Sequence, residues 1–423
     1  SRFGLMCDAR RMCFGLSTIP CAEESMNTLF AKACQYGLVL IMLCLAPLPV
    51  IAFDADSDFL YATGLFKKQR WQYAADEFER FLKQYPEHSR ANLAKLYLGL
   101  SLNSLEDYRP ARTHFEAFIK ENPDSRNLAD ARYGLGECSF YLKDYKLAVE
   151  QLTLYVNEHP GHNLNNWATL LLGKSYNAIG EPEKAERTLE SLIQAEPPVG
   201  IQADALVALA GSKQELGRFE PAIKLFQKVV DLKSADHTPR GIAGMASIYL
   251  AQQEYGKAAE LYDRIVADFA DHPIAPSSAL NSGIAKFQAQ SYREALTTLQ
   301  KVPADSKVAT NASLWTALCR RELGELDLAR KELAQAFAAA GDTPLAAEIL
   351  FNRAQIEVLD QQKEVAAQMF RDLADRWPND PRVADSLFNA TELKMETGDL
   401  KMATRLIKRL KKEHPEVSDN PDV

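Results

Sequence analysis

The chain has 423 residues, 47% of them hydrophobic and 25% charged, with a formal net charge of −8 at pH 7. That acidity argues against general nucleic-acid binding, which draws on phosphate neutralisation by lysine and arginine, and leaves room only for a local basic site. The balance of residue types is that of an ordinary folded protein, neither fibrous nor low in complexity.

Residues 1–25 carry none of the periodicity found further on, and read as an extension upstream of a native start at Met26, or as a disordered segment. From Met26 the pattern is that of a secretory signal. Lys32 supplies the positive end, Gly37 to Leu45 the apolar core, and Val50-Ile51-Ala52 the small residues that cleavage needs. Pro47 and Pro49 interrupt the run before it reaches the roughly 20 residues of a membrane span. Cleavage after Ala52 is therefore expected, giving a periplasmic or secreted protein. The other reading is an uncleaved anchor in the inner membrane with the rest facing the periplasm. Ile41-Met42-Leu43 lacks the small residue that lipidation of Cys44 requires, so no lipoprotein is expected. Phe53 to Asp58 would then open the mature chain, with carboxylates at the positive end of a first helix.

From 53 to 415 the chain is periodic. A small residue recurs at Ala74, Ala111, Ala148, Ala185, Ala222, Ala258, Ala295, Ala329, Ala366 and Ala403, at spacings of 37 residues with one of 36 and one of 34. Four residues after each stands a large apolar one: Phe78, Phe115, Leu152, Leu189, Phe226, Tyr262, Leu299, Leu333, Phe370 and Ile407. A period of this length is the mark of a solenoid. The second unit shows the physics. Leu93, Leu96, Tyr97 and Leu100 follow helical spacing and predict a helix from Ser89 to about Asn103. Leu105-Glu106-Asp107 is a turn, and Ala111, Phe115, Phe118 and Ile119 mark a second helix, stopped at Asn122-Pro123. Gly99 and Ala111 are small where the two helices cross, and Leu98 and Phe115 fill the space beside them. A lone hairpin cannot cover its apolar faces, so the units must stack.

Leu98-Gly99, Tyr108, Ala111, Phe115 and Pro123 resemble the tetratricopeptide repeat. Leu135-Gly136, Tyr145, Ala148, Leu152 and Pro160 match in the next copy, and Leu172-Gly173, Tyr176, Ala185, Leu189 and Pro197 in the fourth. The resemblance covers nearly all of 54–415 and implies an all-α, right-handed solenoid of about ten helical hairpins. Phe81 to Pro86 is similar to segments of bacterial envelope proteins, the Tol–Pal accessory (cell-division coordinator) proteins and the outer-membrane assembly lipoproteins.

Repeats one to four each end in proline, whereas repeat five lacks it and runs through Val230 to Ser234. Repeat seven stops early at Val302-Pro303, so a bend or joint is expected near 302–310, within one continuous array. Residues 416–423 read as a disordered tail. The last helix is basic at Lys401, Arg405, Lys408, Arg409, Lys411 and Lys412, with no acidic residue between 401 and 412. Arg405, Lys408, Arg409 and Lys412 are a candidate patch for an acidic partner or an anionic membrane surface, against the plainer reading of a solvated end-cap.

Of seven cysteines, Cys7, Cys13, Cys21, Cys34 and Cys44 precede the array; Cys138 and Cys319 stand about five repeats apart, too far for a disulfide. They read as small buried residues. Leu172 to Ser175 contains Gly-Lys-Ser, but Ala168 stands where a phosphate loop needs its first glycine. His159 and His162 read as turn residues, without the cysteine or carboxylate spacing of a metal site. No convergent titratable set announces catalysis, and neither cofactor nor metal is expected.

The resemblance instead implies binding of a protein or peptide on the concave face lined by first helices. Carried onto this chain, that face gives Leu96, Leu100 and Asn103 in repeat two, and Asp130, Tyr133, Glu137 and Tyr141 in repeat three. It gives Trp167, Leu170, Lys174 and Asn177 in repeat four, and Phe388, Glu392 and Met395 in repeat ten. Tyr133, Tyr141 and Trp167 are the expected anchors. The structural positions are Gly99, Ala111, Gly136, Ala148, Gly173 and Ala185. The expected function is a non-catalytic scaffold of the cell envelope; the alternative is a support subunit of an envelope enzyme complex, peripherally associated with it or with the membrane.

Overall fold

The computed structural model describes residues 54–415, so the expectations for the extension, the signal segment and the tail fall outside the described residues. Among these residues there are twenty helices and no strand, paired into ten consecutive hairpins, which is the all-α solenoid the periodicity implies. The first helix, Ala55–Lys67, carries Asp56 and Asp58 in its opening turn.

Repeat two contains Ala91–Ser104 and Tyr108–Glu121. Its first helix starts two residues later than the periodicity implies, because His88, Ser89 and Arg90 form the entry turn: the Ala91 N–H donates to the His88 carbonyl at 2.8 Å. All ten register alanines are buried. They sit where the two helices of a hairpin touch, and the facing position of the first helix is small as well. A Cβ built on Gly99 would lie 3.0 Å from the Phe115 ring, on Gly136 2.6 Å from Leu152, and on Gly173 2.5 Å from Leu189. The large residue four after the alanine is therefore pressed onto the glycine of the opposing helix. That close-packed crossing is what the sequence pattern encodes.

The turn inside each hairpin has one geometry. In repeat two Glu106 takes a left-handed φ of 61°, its N–H donates to the Asn103 carbonyl, and the Asp107 N–H reaches back to the Leu102 carbonyl. This pair of bonds is a Schellman motif, which satisfies carbonyls that the helix end leaves open. The same left-handed site recurs at Gln69, Lys143, Gly180, Gly217, Gln253, Gln290, Gly324, Gln361 and Gly398. Six of the ten sites thus hold a side chain in a conformation that suits glycine.

Each second helix packs against the next first helix, and many successive first helices also touch each other, whereas successive second helices make no contact of comparable extent. First helices therefore form the crowded, inner side of the stack. In repeats two to five and in repeat eight another small buried site lies two residues past the crossing, held by Ser101, Cys138, Ser175, Ser212 and Cys319. The two cysteines are free and occupy places where other repeats use serine. Burial pushes both thiols up to about 12. The entry turns also repeat. His88 Nδ1, Ser125 Oγ, His272 Nδ1 and Asp380 Oδ1 each accept the backbone N–H two residues on. At the same place in the His159-Pro-Gly-His162 turn, His162 Nδ1 pairs with the Tyr155 hydroxyl at 2.6 Å.

Repeat five's second helix ends at Asp231 and is followed by a left-handed Lys233 rather than a proline stop. The larger departure is in repeat seven, whose second helix, Tyr292–Leu299, has 8 residues. The other nineteen have 13 to 17. A cavity of about 390 Å³ opens beside it, toward repeat eight. In the last helix, Leu400–Glu413, the residues Ala403, Leu406 and Leu410 are buried. Eight residues past the register alanine, where other repeats have Leu82, Ile119, Val156 or Phe337, stands the exposed Lys411.

Candidate partner-binding face

The inner side is built from the first helices, and the structure divides the candidate residues into those it buries and those it leaves open. Leu96 is buried in the core of repeats two and three, among Ala111, Phe115 and Ala131, and Leu170 is buried in the next core but one. Neither meets a partner. Tyr133 is a second correction: it is 8% exposed, with its ring against Tyr155 and its hydroxyl donating to Glu137 Oε1 at 3.0 Å. Position −3 from the crossing residue points between repeats, so its side chains are core, and aromatic character there signals packing. Burial, with Glu137 alongside, pushes the Tyr133 hydroxyl far above the ordinary phenol range.

Asn103, Glu137 and Asn177 tie neighbouring first helices together. Asn103 Nδ2 donates to Glu137 Oε2 at 2.6 Å while its Oδ1 accepts from the Cys138 thiol. Asn177 Nδ2 donates to the Ala208 carbonyl, and its Oδ1 accepts from Ser212. Their polar groups are largely spent on the stack. Lys174 is half-engaged, with Nζ 3.7 Å from Asp204 Oδ2; Arg240 donates to the other oxygen of Asp204 at 2.8 Å. Burial lowers the Lys174 ammonium, against the attraction of Asp204.

Two of the expected anchors remain accessible. Tyr141 is 50% exposed and Trp167 44% exposed. The Tyr141 ring stacks on Tyr108 at 4.7 Å, which fixes it as a platform. Burial and the nearby carboxylates of Glu137, Glu106 and Asp204 raise its hydroxyl. Such a rigid, half-open aromatic above a charged ladder can take an apolar side chain on the ring and hydrogen-bonding groups along Asp204 and Arg240.

A second opening lies in repeats eight to ten: a cavity of about 570 Å³ lined by Arg321, Gln355, Val358, Leu359 and Asn389. Arg321 donates to Gln355 Oε1 at 3.0 Å, and Leu359 is 55% exposed at the rim. Asp204, Arg240, Arg321, Gln355 and Asn389 were not singled out from the sequence, although the register alone gives most of them. Arg321 stands where repeats two and four have Asn103 and Asn177, and Asp204 and Arg240 stand where repeat four has Trp167.

The basic helix is only partly a patch. Arg409 is engaged, bridging Asp375 at 2.5 Å and Glu413 at 2.9 Å and donating to the Ala374 carbonyl. It holds the last two hairpins together and is not available to an anionic partner. Arg405, Lys408 and Lys412 are exposed. No helix among the described residues is long and apolar enough to cross a membrane.

Tetratricopeptide-repeat family models match residues 96–163, 244–309, 280–343 and 320–381, and two further models of that description match 56–88, 167–198 and 203–236. No curated protein matches the chain. Solved structures with a similar fold include a tetratricopeptide repeat protein from Parabacteroides merdae, at 12% identity and a TM-score of 0.49 over 63% of this chain and 98% of that one. MamA from Desulfovibrio magneticus has 20% identity and a TM-score of 0.37 over 42% and 94%. A monomeric mutant of IFIT1 with Gppp-AAAA has 14% identity and a TM-score of 0.45 over 91% and 86%. With the repeat models spread over most of the array and the crossing glycines and alanines buried as the pattern requires, the chain belongs to the tetratricopeptide repeat family.

Proposed function

We propose that the protein is a non-catalytic scaffold of the cell envelope that binds a protein or peptide partner along its first helices. Repeats of this family generally mediate contacts between proteins, and the observation that carries the reading is the pairing of Tyr141 and Trp167, open to solvent, with an otherwise satisfied inner face. A face whose remaining polar groups are already tied together is pre-formed, so little ordering cost is added on binding. The cavity at Arg321, Gln355 and Leu359 extends the site toward repeat ten. The envelope location rests on the signal-type segment 26–52 and on the likeness of Phe81–Pro86 to Tol–Pal accessory and outer-membrane assembly proteins.

The test is capture from a membrane-free periplasmic extract by the wild-type chain and by Tyr141→Ala/Trp167→Ala. The double variant should lose the captured protein with helicity unchanged by circular dichroism. Retention at wild-type level would overturn the assignment of this face. One stoichiometric enzyme among the captured proteins would favour the support-subunit reading. Sequencing the N-terminus of the mature protein after cell fractionation tests cleavage after Ala52; recovery of uncleaved chain in the inner membrane would replace the periplasmic reading with an anchored one.

A further inference from the structure

The outer line of the last hairpin differs in charge from its counterpart in every other hairpin. In the helix Leu400–Glu413, Lys401, Arg405, Lys408 and Lys412 follow at steps of four, three and four residues. They therefore share one helix face, over a length of about 17 Å. All four are exposed. Counted from the register alanine, the same four places in repeat nine set Glu364 and Asp375 against Arg371, a net charge of −1. In repeat six they hold Glu260 and Asp263 with no cation, a net charge of −2. None of the first nine repeats exceeds +1 there, whereas repeat ten carries +4.

These charges are also unspent. Repeat nine uses the line to hold the next hairpin, Glu364 pairing with Lys394 and Asp375 with Arg409. Among the described residues no hairpin follows the last, and its four cations make no side-chain hydrogen bond or ion pair. Glu413, the one carboxylate of the helix, is engaged by Arg409. An end-cap requires polar residues but not residues of one sign, and like charges three and four apart on a helix repel one another. The helix dipole favours cations at the closing turn, which suits Lys412, but Lys401 stands in the opening turn, at the positive end. Capping therefore does not account for the arrangement, and an anionic surface laid against it would relieve both costs.

We propose that this line seats the array on a bilayer surface containing anionic phospholipids, with the four side chains among the phosphates. Leu400 is the one apolar residue exposed on the helix, so the aromatic or aliphatic cluster that centres a protein interface is missing. Three of the four are lysines, point charges without the planar fork that selects a single carboxylate. A long polyanion running along the array would meet the acidic places of repeats nine and six, and the chain's net charge of −8 opposes it. A bilayer touched by the end hairpin alone meets the cations. None of the four belongs to the partner face, so the two surfaces do not compete for residues.

The experiment is co-sedimentation of the whole chain with phosphatidylcholine vesicles that contain either no phosphatidylglycerol or about 30% of it, in low and in high salt. The quantity read is the ratio of the two partition coefficients, which cancels any binding through the apolar segment 37–45. Each basic residue near such a surface contributes about fivefold. Arg405→Gln/Lys408→Gln should therefore lower the ratio about 25-fold, with an unchanged melting curve, and Lys408→Arg should keep it. Arg371→Gln, the same loss of charge at the same place in repeat nine, should leave it within about twofold of wild type, and high salt should bring it close to one. A ratio near one for the wild-type chain in low salt, a ratio that survives the double change, or an equal fall with Arg371→Gln overturns the proposal. Tighter binding of an octaglutamate peptide than of the anionic vesicles would assign the line to an acidic protein and overturn it as well.

Discussion

Repeats two to four and repeat seven share one crossing and differ in the chain beyond it. In the former, a glycine of the first helix receives Phe115, Leu152 or Leu189, and the second helix then continues to a proline stop. In repeat seven Gly283 faces Leu299 in the same way, a Cβ built on it falling 2.5 Å from that side chain, but Leu299 is the last residue of its helix. The crossing therefore makes the hairpin, and the remainder of the second helix makes the joint to the next one. In a stack whose stability is a sum of repeat and interface terms, losing that remainder weakens one interface without unmaking either hairpin.

Truncations should break this symmetry most visibly. Phe115→Ala removes a ring enclosed on all sides, in contact with Gly99 and Gly134, and should cost about 3–5 kcal/mol. Leu299→Ala borders space that is already open and should fall near the low end for leucine, about 2 kcal/mol. Denaturant unfolding of both variants checks the difference, and equal losses would show that the cavity collapses in solution. Overpacking gives the next effect. Ala148→Phe forces a ring into a closed crossing and should cost about 1–3 kcal/mol. Ala336→Leu projects into the cavity and should stay within about 1 kcal/mol of wild type, since the void accepts the added volume. A melting curve of Ala148→Phe that matches wild type would count against the register.

Much of this contrast is legible in the sequence, and for a physical reason. Backbones can approach only where side chains are small, so the register residues Gly99, Ala111 and Ala148 announce themselves by size and spacing. Pro303, with the shortened spacing to Ala329, marks the place where the second helix had to stop. Binding residues carry no such constraint. Tyr133 and Tyr141 are both tyrosines of one helix, and only the direction in which each points decides that the first is core and the second surface. The turns escape notice for another reason: Glu106, Lys143 and Gln253 hide a left-handed site that Gly180 and Gly217 would have revealed. Gly180→Ala should accordingly cost about 1–2 kcal/mol and Glu106→Gly should gain less than about 1 kcal/mol. Thermal melts of the two would show opposite signs, and matching signs would count against a common turn geometry.

The smallest effect separates the two regions by pH. Glu186, in the regular part, accepts from Lys213 and Arg218, which hold its carboxyl below the ordinary range. A depressed folded pKa contributes stability that is present above the unfolded value, around pH 4, and is lost as pH falls through the folded one. Glu332, at the cavity, is shifted the other way by burial. Its contribution is favourable below the unfolded value and is lost as pH rises through the raised folded one. Glu186→Gln should therefore lower the Tm near neutrality and converge on wild type in acid. Glu332→Gln should raise the Tm near neutrality, since Arg320 keeps Glu325, and also converge in acid. Both effects should stay below about 1 kcal/mol because the partners are partly exposed. Melting curves taken from about pH 3 to pH 8 that run parallel for the two variants would mean that the cavity carboxylate is as well compensated as the paired one.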